Sequence, residues 1–209
     1  MRNLGGVGRP SNTEERRAEI VDALLSVMAE RGYEHATIAA VARQASLAPG
    51  LIHYHFSNKH EILVALVERL IESLEARVRA KLAAVGVSPR ERLHAVIDAH
   101  VALGDDADPR SVAAWVMVGA EAVRQRDVRA LYTSAIRAAL ARLKALVLAA
   151  LRSERRLTRH ASRIAAALAS GIEGAYLLSA AAPGTLPVGY AAPTLRRMVD
   201  GLLDAEPKV

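Results

Sequence analysis

The stretch "TIAAVARQASLAPGLIHYHFSNKHEIL", residues 37–63, concentrates the unusual side chains of this chain. It holds the only Phe, one of five Tyr and three of seven His, although aromatic residues make up just 3% of the 209 residues. Metal binding, catalysis, core packing and contact with a charged polymer are all compatible with such a cluster. The neighbouring sequence discriminates among them.

Apolar residues around this stretch recur at the spacing of an α-helix. A first helix is predicted to start at the N-cap residue Thr13 and to end before Gly32, with one apolar face. Thr37 is typical of a second N-cap, and Ser57-Asn58 precedes a long helix that reaches about Ala84. The apolar face consists of Ile20, Leu24, Val27 and Met28. Three short helices joined by tight turns predict a helix-turn-helix.

The composition supports an all-α protein. Long Val/Ile/Thr/Tyr runs bounded by turn residues are absent, which argues against a sheet. The absence of Cys excludes disulfides, thiolate metal sites and a cysteine nucleophile. A net charge of +6 permits a polyanionic partner without requiring one.

One segment, "IAAALASGIEGAYLLSAAA" at Ile164–Ala182, has the length of a membrane span. It is rich in Ala, Gly and Ser and carries Glu173 near its centre, so a buried or dimer-interface helix is the better interpretation. The N-terminus has no apolar segment typical of a signal peptide. We therefore expect a cytoplasmic protein without a membrane partner.

Changes in composition along the chain predict three parts. Residues 1–12 contain several Gly and a Pro and should form a flexible N-terminal arm. Residues 13–73 form the predicted three-helix DNA-binding domain. Residues 74–209 contain longer predicted helices and should form a helical bundle for effector binding and dimerisation.

The residue pattern of the central stretch resembles the DNA-binding domain of the TetR family of bacterial repressors. The resemblance covers residues 13 to about 73. Its marks are Thr37, Ala42, Ala45, Gly50, the aromatic/His run that ends in Phe56, Lys59 and Leu63. It implies a helix-turn-helix module whose second helix enters the major groove of DNA.

Three positions depart from the family pattern. Ser46 stands where the family usually has Gly, Ala48 where it has Ser, and His53 where it has Tyr. Loss of the hydroxyl at position 48 removes an N-cap worth about 1 kcal/mol, unless Ser46 substitutes for it. These departures affect the base contacts more than the fold.

The resemblance implies which residues meet DNA. Ala48, Pro49, Gly50, Leu51 and His53 lie at the start of the recognition helix, where base edges are read. The implied phosphate contacts are Tyr54, His55, Lys59 and the amide of Thr37, with Arg43 able to reach phosphate or a base. We also expect Leu51, Ile52 and Phe56 to face inward. The N-terminal arginines Arg2, Arg9, Arg16 and Arg17 resemble arms that enter a minor groove.

The C-terminal part resembles the BetI-like, choline-sensing branch of the family. The resemblance rests on the order Trp115, Tyr132 and "GIEGAYLL" at residues 171–178. It implies a pocket for a small molecule of unknown identity. A quaternary ammonium would need aromatic rings and a carboxylate. The candidate suppliers are Trp115, Glu121, Tyr132, Glu173 and Tyr176, with His100 as an addition. The alternative is that Trp115 and Tyr176 are core residues and Glu173 pairs with an arginine.

Small residues form rows on the helix predicted from Thr158. They are Ala167, Ser170, Gly171, Gly174 and Ala175. Such rows let two helices approach closely, either in a homodimer or inside one subunit. The dimer is favoured because a two-fold protein reads an inverted repeat.

Together these observations predict a dimeric, ligand-responsive repressor that binds an inverted-repeat operator in double-stranded DNA. The alternatives are a regulator without an effector, whose C-terminal half only dimerises, and a helical enzyme or scaffold. No cofactor is expected, and no nucleophile or phosphate-loop motif indicates an enzyme. A metal site is disfavoured because His53 and His55 would point about 200° apart on a helix.

Overall fold

A computed structural model describes residues 12–101 and 108–209 of the chain. The described residues up to Leu66 form one compact unit, and Val67–Val209 contains the other. The predicted arm lies outside the described residues except for Asn12, at which the first helix begins. Thr13 therefore lies inside that helix and is not its N-cap.

The first unit contains three helices and the start of a fourth. They are α1 (Asn12–Arg31), α2 (Ile38–Gln44), α3 (Pro49–His55) and α4 (Lys59–Ala83). The predicted apolar face of α1 is buried against α2 and α3, with Ile20, Leu24 and Met28 fully enclosed. Gly32 ends α1 at a φ of 78°, a left-handed conformation that only Gly adopts without strain.

The turn between α2 and α3 is a Schellman motif built on Ser46. The amide of Leu47 donates to the carbonyl of Ala42 at 2.9 Å, and the amide of Ser46 donates to the carbonyl of Arg43 at 3.2 Å. This pattern places Ser46 at the left-handed position, and its φ is 56°. Ser46, which stands where the family usually has Gly, therefore occupies the left-handed position of this turn, where Gly would be less strained.

Side chains cap α2 and α4 as the sequence predicted. Thr37 Oγ1 accepts the amide of Ala40 at 3.1 Å. Asn58 Oδ1 accepts the amide of Glu61 at 2.9 Å, and the Glu61 carboxylate accepts the amide of Ser57 at 2.8 Å. The backbone hydrogen bond from Ser57 holds the pKa of Glu61 below its usual value. These reciprocal bonds fix the chain direction between α3 and α4.

The second unit is built from the rest of α4 and five further helices. They are α5 (Pro89–Val101), α6 (Pro109–Arg124), α7 (Arg126–Ser153), α8 (Ala161–Ala181) and α9 (Ala191–Asp204). The core lies among α5, α7, α8 and α9, and Val78 of α4 is buried in it. Pro89 and Pro109 occupy first-turn positions, where a missing N–H leaves no helical hydrogen bond unmade.

Polar contacts join α5 to the ends of α7 and α9. The guanidinium of Arg90 donates to Glu154 at 2.8 Å, to Asp200 at 3.0 Å and to Asp204 at 2.9 Å. Burial lowers the pKa of Arg90 and its hydrogen bonds to Glu154 and Asp204 raise it, with a net rise, so Arg90 stays charged. These contacts hold the last helix against the core from its polar side.

Gly171 on α8 permits close packing inside the subunit. A Cβ at this position would lie 2.7 Å from Leu195 Cδ2 of α9, whereas one at Gly174 would meet nothing within 4 Å. The small-residue rows therefore divide between two faces. Gly171 faces α9, and Ala167 and Ser170 are exposed on another side of α8.

Among the described residues, α8 is the one helix that is long and apolar enough to cross a membrane. It packs against α6, α7 and α9 and carries the half-buried Glu173.

Candidate DNA-binding surface and effector cavity

Helix α3 is anchored from one side and exposed on the other. Ile52 and Phe56 are buried, whereas His53 and Tyr54 are exposed, Tyr54 to 78%. The prediction that Leu51 faces inward is wrong: Leu51 is 37% exposed, because it lies one residue before Ile52 and hence about 100° away from it around the helix. The outer face of α3 thus presents an apolar side chain beside polar rings.

The first turn of α3 lacks a side-chain cap. Ala48 occupies the N-cap position without a side-chain hydrogen bond, and Pro49 follows in the first turn. Ser46 does not substitute as a cap, since Ala48 itself occupies that position. Ala48, Pro49 and Gly50 are all exposed, so the backbone at this helix start is open to a partner.

Other predicted contacts surround this face. Arg43 on α2 is exposed, and no hydrogen bond or ion pair of its side chain occurs within the described parts of the chain. Thr37 is exposed at the N-terminus of α2, but its amide, an implied phosphate contact, donates to the carbonyl of His35 at 3.0 Å. His55 is half-buried, and its ring lies 5.0 Å from the Tyr54 ring in an edge arrangement.

Lys59 is held by the fold. Its Nζ donates to the carbonyl of Tyr33 at 2.9 Å and lies 4.1 Å from the centroid of the Tyr33 ring. The carbonyl of Glu34 lies 3.5 Å away. Lys59 therefore ties the start of α4 to the turn that follows α1.

Arg16 and Arg17, which the resemblance grouped with arms that enter a minor groove, both lie in α1. Arg16 pairs with Glu19 at 2.7 Å. The Arg17 guanidinium donates to the carbonyl of His55, lies 3.9 Å from the centroid of the Phe56 ring and 3.8 Å from a Glu61 oxygen. Arg17 thus caps the C-terminus of α3, a role that no local pattern in the sequence indicates. Arg2 and Arg9 lie outside the described residues.

The second unit encloses a cavity of about 60 Å³. Its walls come from α4, α5, α6, α7 and α8. Trp115, Glu173, Tyr176 and His100 line it, together with the apolar side chains of Leu70, Ile71, Leu74, Val112 and Ile136. Sequence positions far apart thus meet at one site, as the resemblance implied for Trp115, Glu173 and Tyr176.

Glu173 is the acceptor at the centre of an aromatic cluster, which we define as Trp115, Tyr132 and Glu173. Trp115 Nε1 donates to Glu173 Oε2 at 3.2 Å, and the Tyr132 hydroxyl donates to the same oxygen at 3.2 Å. The rings of Trp115 and Tyr132 stack at 4.9 Å with an angle of 31°. Within the described residues, Glu173 has no cationic partner, so the alternative of an arginine pair is not realised.

Burial sets the acidities in this cluster. It raises the pKa of Glu173, which the hydrogen bonds from Trp115 and Tyr132 partly offset. Burial and the Glu173 charge raise the pKa of Tyr132 to about 12. Burial therefore disfavours the charge of the Glu173 carboxylate, and hydrogen bonds from two neutral rings favour it.

Glu121 does not join this cluster. It is buried on α6 and accepts a hydrogen bond from Gln125 Nε2 at 2.6 Å. It is absent from the lining of the cavity. Three of the five predicted ligand residues, Trp115, Glu173 and Tyr176, thus line the cavity. Tyr132 does not line it but contacts Trp115 and Glu173, and Glu121 lies apart near the end of α6.

Arg77 and His100 line the same cavity, and together with the neighbouring Arg142 they form what we define as the basic cluster. The Tyr176 hydroxyl donates to the carbonyl of His100 at 2.8 Å and lies 3.3 Å from its Nδ1. Burial, aided by the two guanidiniums, lowers the pKa of His100 to about 4, so its imidazole is neutral at pH 7. The sequence singled out neither arginine, because Arg is frequent on every long helix of this chain.

Within residues 12–101 and 108–209, no group of three or more His, Asp or Glu side chains is arranged to hold a metal ion. Trp115, Glu173, Tyr176, His100 and Arg77 of the second unit converge on the cavity, and exposed polar side chains of the first unit lie on the outer face of α3. A helix-turn-helix that exposes its second helix, joined to a helical unit with a polar cavity, defines the class of helix-turn-helix transcriptional regulators.

Family models and relatives agree with this class. Residues 20–66 match the model of bacterial regulatory proteins of the tetR family, and residues 89–204 match the C-terminal domain of the BetI-type transcriptional repressor. The chain is 34% identical over 162 residues to the HTH-type transcriptional regulator BetI of Rhizobium meliloti, covering 78% of this chain and 76% of that protein. It is 33% identical over 166 residues to BetI of Agrobacterium fabrum, covering 78% and 75%.

Solved structures show the same fold. A transcriptional regulator from Rhodococcus superposes with a TM-score of 0.79 at 22% identity, over 92% of this chain and 98% of that one. A regulator from Saccharomonospora viridis in complex with choline superposes with a TM-score of 0.77 at 21% identity, over 93% and 100%. This chain belongs to the TetR family of DNA-binding transcriptional regulators, with a C-terminal domain of the BetI type.

Proposed function

We propose that this regulator binds an inverted-repeat operator as a homodimer and that a small molecule in the C-terminal cavity controls this binding. Residues 13–73 would form the DNA-binding domain and residues 74–209 the effector and dimerisation domain. Because the relatives are transcriptional regulators, we propose that the protein works in the cytoplasm by binding and not by catalysis. The exposed face of α3, held by buried Ile52 and Phe56, is the observation that carries the DNA-binding surface.

On this surface, we assign base recognition and phosphate contacts to different residues. Leu51 and His53 are exposed along α3 and would meet base edges, with Ala48, Pro49 and Gly50 close to the groove. Tyr54, His55, Lys59 and Arg43 would contact phosphates.

A binding assay with the DNA upstream of the protein's own gene tests the surface. Changing Leu51 or His53 to Ala should alter sequence preference. Changing Arg43 or His55 to Ala should weaken binding to every sequence. The Arg43 change should also lower the salt dependence by about one phosphate, a slope change of about 0.9. A preference change in the Arg43 variant with an unaltered salt slope would contradict the assignment.

The homodimer is supported by apolar side chains that remain exposed on α8 and α9. Leu177 is 51% exposed on α8, and Leu202 is 40% exposed on α9. Such side chains on adjoining helices are typical of a surface that another copy covers.

Sedimentation of two variants tests the dimer. Leu202→Glu should yield a monomer, because a charge in an apolar interface is costly to bury. Val123→Glu, at a position 72% exposed on α6, is the control and should remain a dimer. A wild-type protein that sediments as a monomer at micromolar concentration would refute the dimer.

For the effector, we propose a small ammonium compound. Glu173 supplies a half-buried carboxylate without a cationic partner, and Trp115 and Tyr132 supply aromatic faces for a cation–π contact. The choline complex of the Saccharomonospora viridis regulator, which shares the fold, supports this class. Because the cavity is only about 60 Å³, the ligand must be small and must part the two stacked rings.

The response requires that the effector bind two conformations unequally. A shift from 1:99 to 99:1 needs a difference of about 5.5 kcal/mol in binding free energy. Helix α4 is the proposed connection, because Lys59 lies at its start and Arg77 in its second half.

Thermal unfolding and DNA binding with and without choline test this response. Choline should raise the unfolding temperature and weaken operator binding, and Glu173→Gln should abolish both effects. If no ammonium compound stabilises the protein, the rival in which the C-terminal unit only dimerises is favoured.

A further inference from the structure

The basic cluster has unmade hydrogen bonds beside the effector cavity. Arg77 Nε, Arg142 Nη1 and His100 Nε2 are buried and have no hydrogen-bond partner among the described residues. Native proteins rarely leave such groups unpaired, because each loses its contact with water without a replacement. Three such atoms in one cluster indicate that a partner is missing.

The charges of this cluster point to the sign of that partner. Arg142 forms an ion pair with Glu75, whereas no ion pair of Arg77 occurs in the described parts of the chain. Arg77, Glu75 and His100 all line the cavity. Two guanidiniums thus face one carboxylate, which leaves one positive charge uncompensated in this cluster.

His100 lies among the same charges. Burial is the main cause that lowers its pKa, both guanidiniums lower it further, and Glu75 opposes them. An arriving anion would relieve the repulsion, and the Arg77 N–H groups are its natural donors. The site is therefore prepared for an anion and not for a second cation.

The two clusters are close enough for one small ligand. Glu173 belongs to the aromatic cluster, and Tyr176, three residues later on α8, touches His100. Trp115 and Glu173 of the aromatic cluster and Arg77 and His100 of the basic cluster line the same small cavity. A small ligand with opposite charges at its two ends would therefore meet both clusters.

Resting on the proposed effector site, we infer that the effector is a zwitterion, an ammonium compound that also carries a carboxylate. Its ammonium group would lie at Glu173, Trp115 and Tyr132, and its carboxylate would accept hydrogen bonds from Arg77. A ligand with only a cationic group would satisfy Glu173 and leave Arg77 unpaired.

Four isosteric probes separate the contributions of the two charges. Trimethylglycine carries both charges, 3,3-dimethylbutanoate only the anion, choline only the cation, and 3,3-dimethylbutan-1-ol neither. Dissociation constants are measured by titration calorimetry on the full chain. We expect trimethylglycine to bind about 10-fold to 100-fold more tightly than choline, since hydrogen bonds to charged groups have this effect.

Variants of α4 supply the matched control. Arg77→Met keeps the length of the side chain and should remove the advantage of trimethylglycine over choline, whereas Arg79→Met, an exposed position two residues along, should preserve it. Arg77→Lys should retain part of the advantage, which guards against a general packing effect.

The possible results of these titrations distinguish failure of the zwitterion inference from failure of the proposed effector site. If choline binds and trimethylglycine binds no better, the zwitterion is wrong while the ammonium effector stands. If trimethylglycine binds more tightly but Arg77→Met leaves the ratio unchanged, Arg77 is not the carboxylate site and the inference fails. If none of the four compounds binds, the proposed effector site and the inference fail together.

Discussion

Lys59 offers a test that separates a structural contact from a DNA contact. Its Nζ donates to the Tyr33 carbonyl at 2.9 Å and lies 4.1 Å from the ring centroid. A hydrogen bond from a charged group contributes about 1.5–3 kcal/mol and a cation–π contact at a partly exposed site about 0.5–1 kcal/mol. Because Lys59 is only half-buried, we use the lower value of each of these two ranges. We therefore expect Lys59→Met to reduce the free energy of unfolding by about 2 kcal/mol.

Urea unfolding of the full chain, followed by circular dichroism, measures this loss. The same variant should bind every DNA sequence more weakly, with a salt slope lowered by about 0.9, if the free N–H of Nζ also meets a phosphate. Arg43→Met is the matched control, since Arg43 is exposed and should lose salt slope without losing stability. If Lys59→Met behaved like Arg43→Met, with unchanged unfolding, the structural role of Lys59 would be refuted.

Three further changes are predictable. Ser46→Gly should raise the free energy of unfolding by about 1 kcal/mol, because Ser46 has a φ of 56°; urea unfolding should show no gain for Ser46→Ala, which keeps the Cβ. Ala48→Ser should add about 1 kcal/mol by supplying the absent N-cap of α3, and a gain equal to that of Ala48→Gly would argue against a hydroxyl cap. His100 has a pKa of about 4 in the folded protein against 6.5 ordinarily. As the pH falls, the unfolded chain therefore binds a proton at His100 before the folded protein does. Between pH 6.5 and 4, the free energy of unfolding of the wild type should drop by about 3 kcal/mol more than that of His100→Gln. Parallel pH curves for the two proteins would contradict the burial of a neutral imidazole.

The BetI-type relatives and the residues that border the cavity support different conclusions. Relatives at 30% identity and above establish which family the chain belongs to, and the choline complex of a structural neighbour concerns that neighbour. The unpaired atoms of Arg77, His100 and Arg142 are properties of this chain. They are the reason why we propose a zwitterion, and not a simple cation, as the effector.

Local patterns were sufficient for most of the secondary structure. The caps at Thr37 and Asn58, Pro at the start of α5 and α6, and the Gly after α1 are signals that act within a few residues. They placed the beginnings of these helices correctly, except that α1 begins at Asn12. Comparison with the family pattern identified Ser46 and Ala48 as unusual, and the structure showed their local consequences: a left-handed turn residue and a helix without a side-chain cap.

The sequence by itself determined the helical fold, the recognition helix and the family, because these depend on periodicity, capping and a residue pattern read in one register. Only the tertiary structure decided which side chains meet. It placed Arg17 on Phe56, Lys59 on Tyr33, and Gly171 against Leu195. It also separated Glu121 from the cavity and brought Arg77 to its wall. The physical reason is that these contacts join residues distant in sequence, and their formation depends on how whole helices pack.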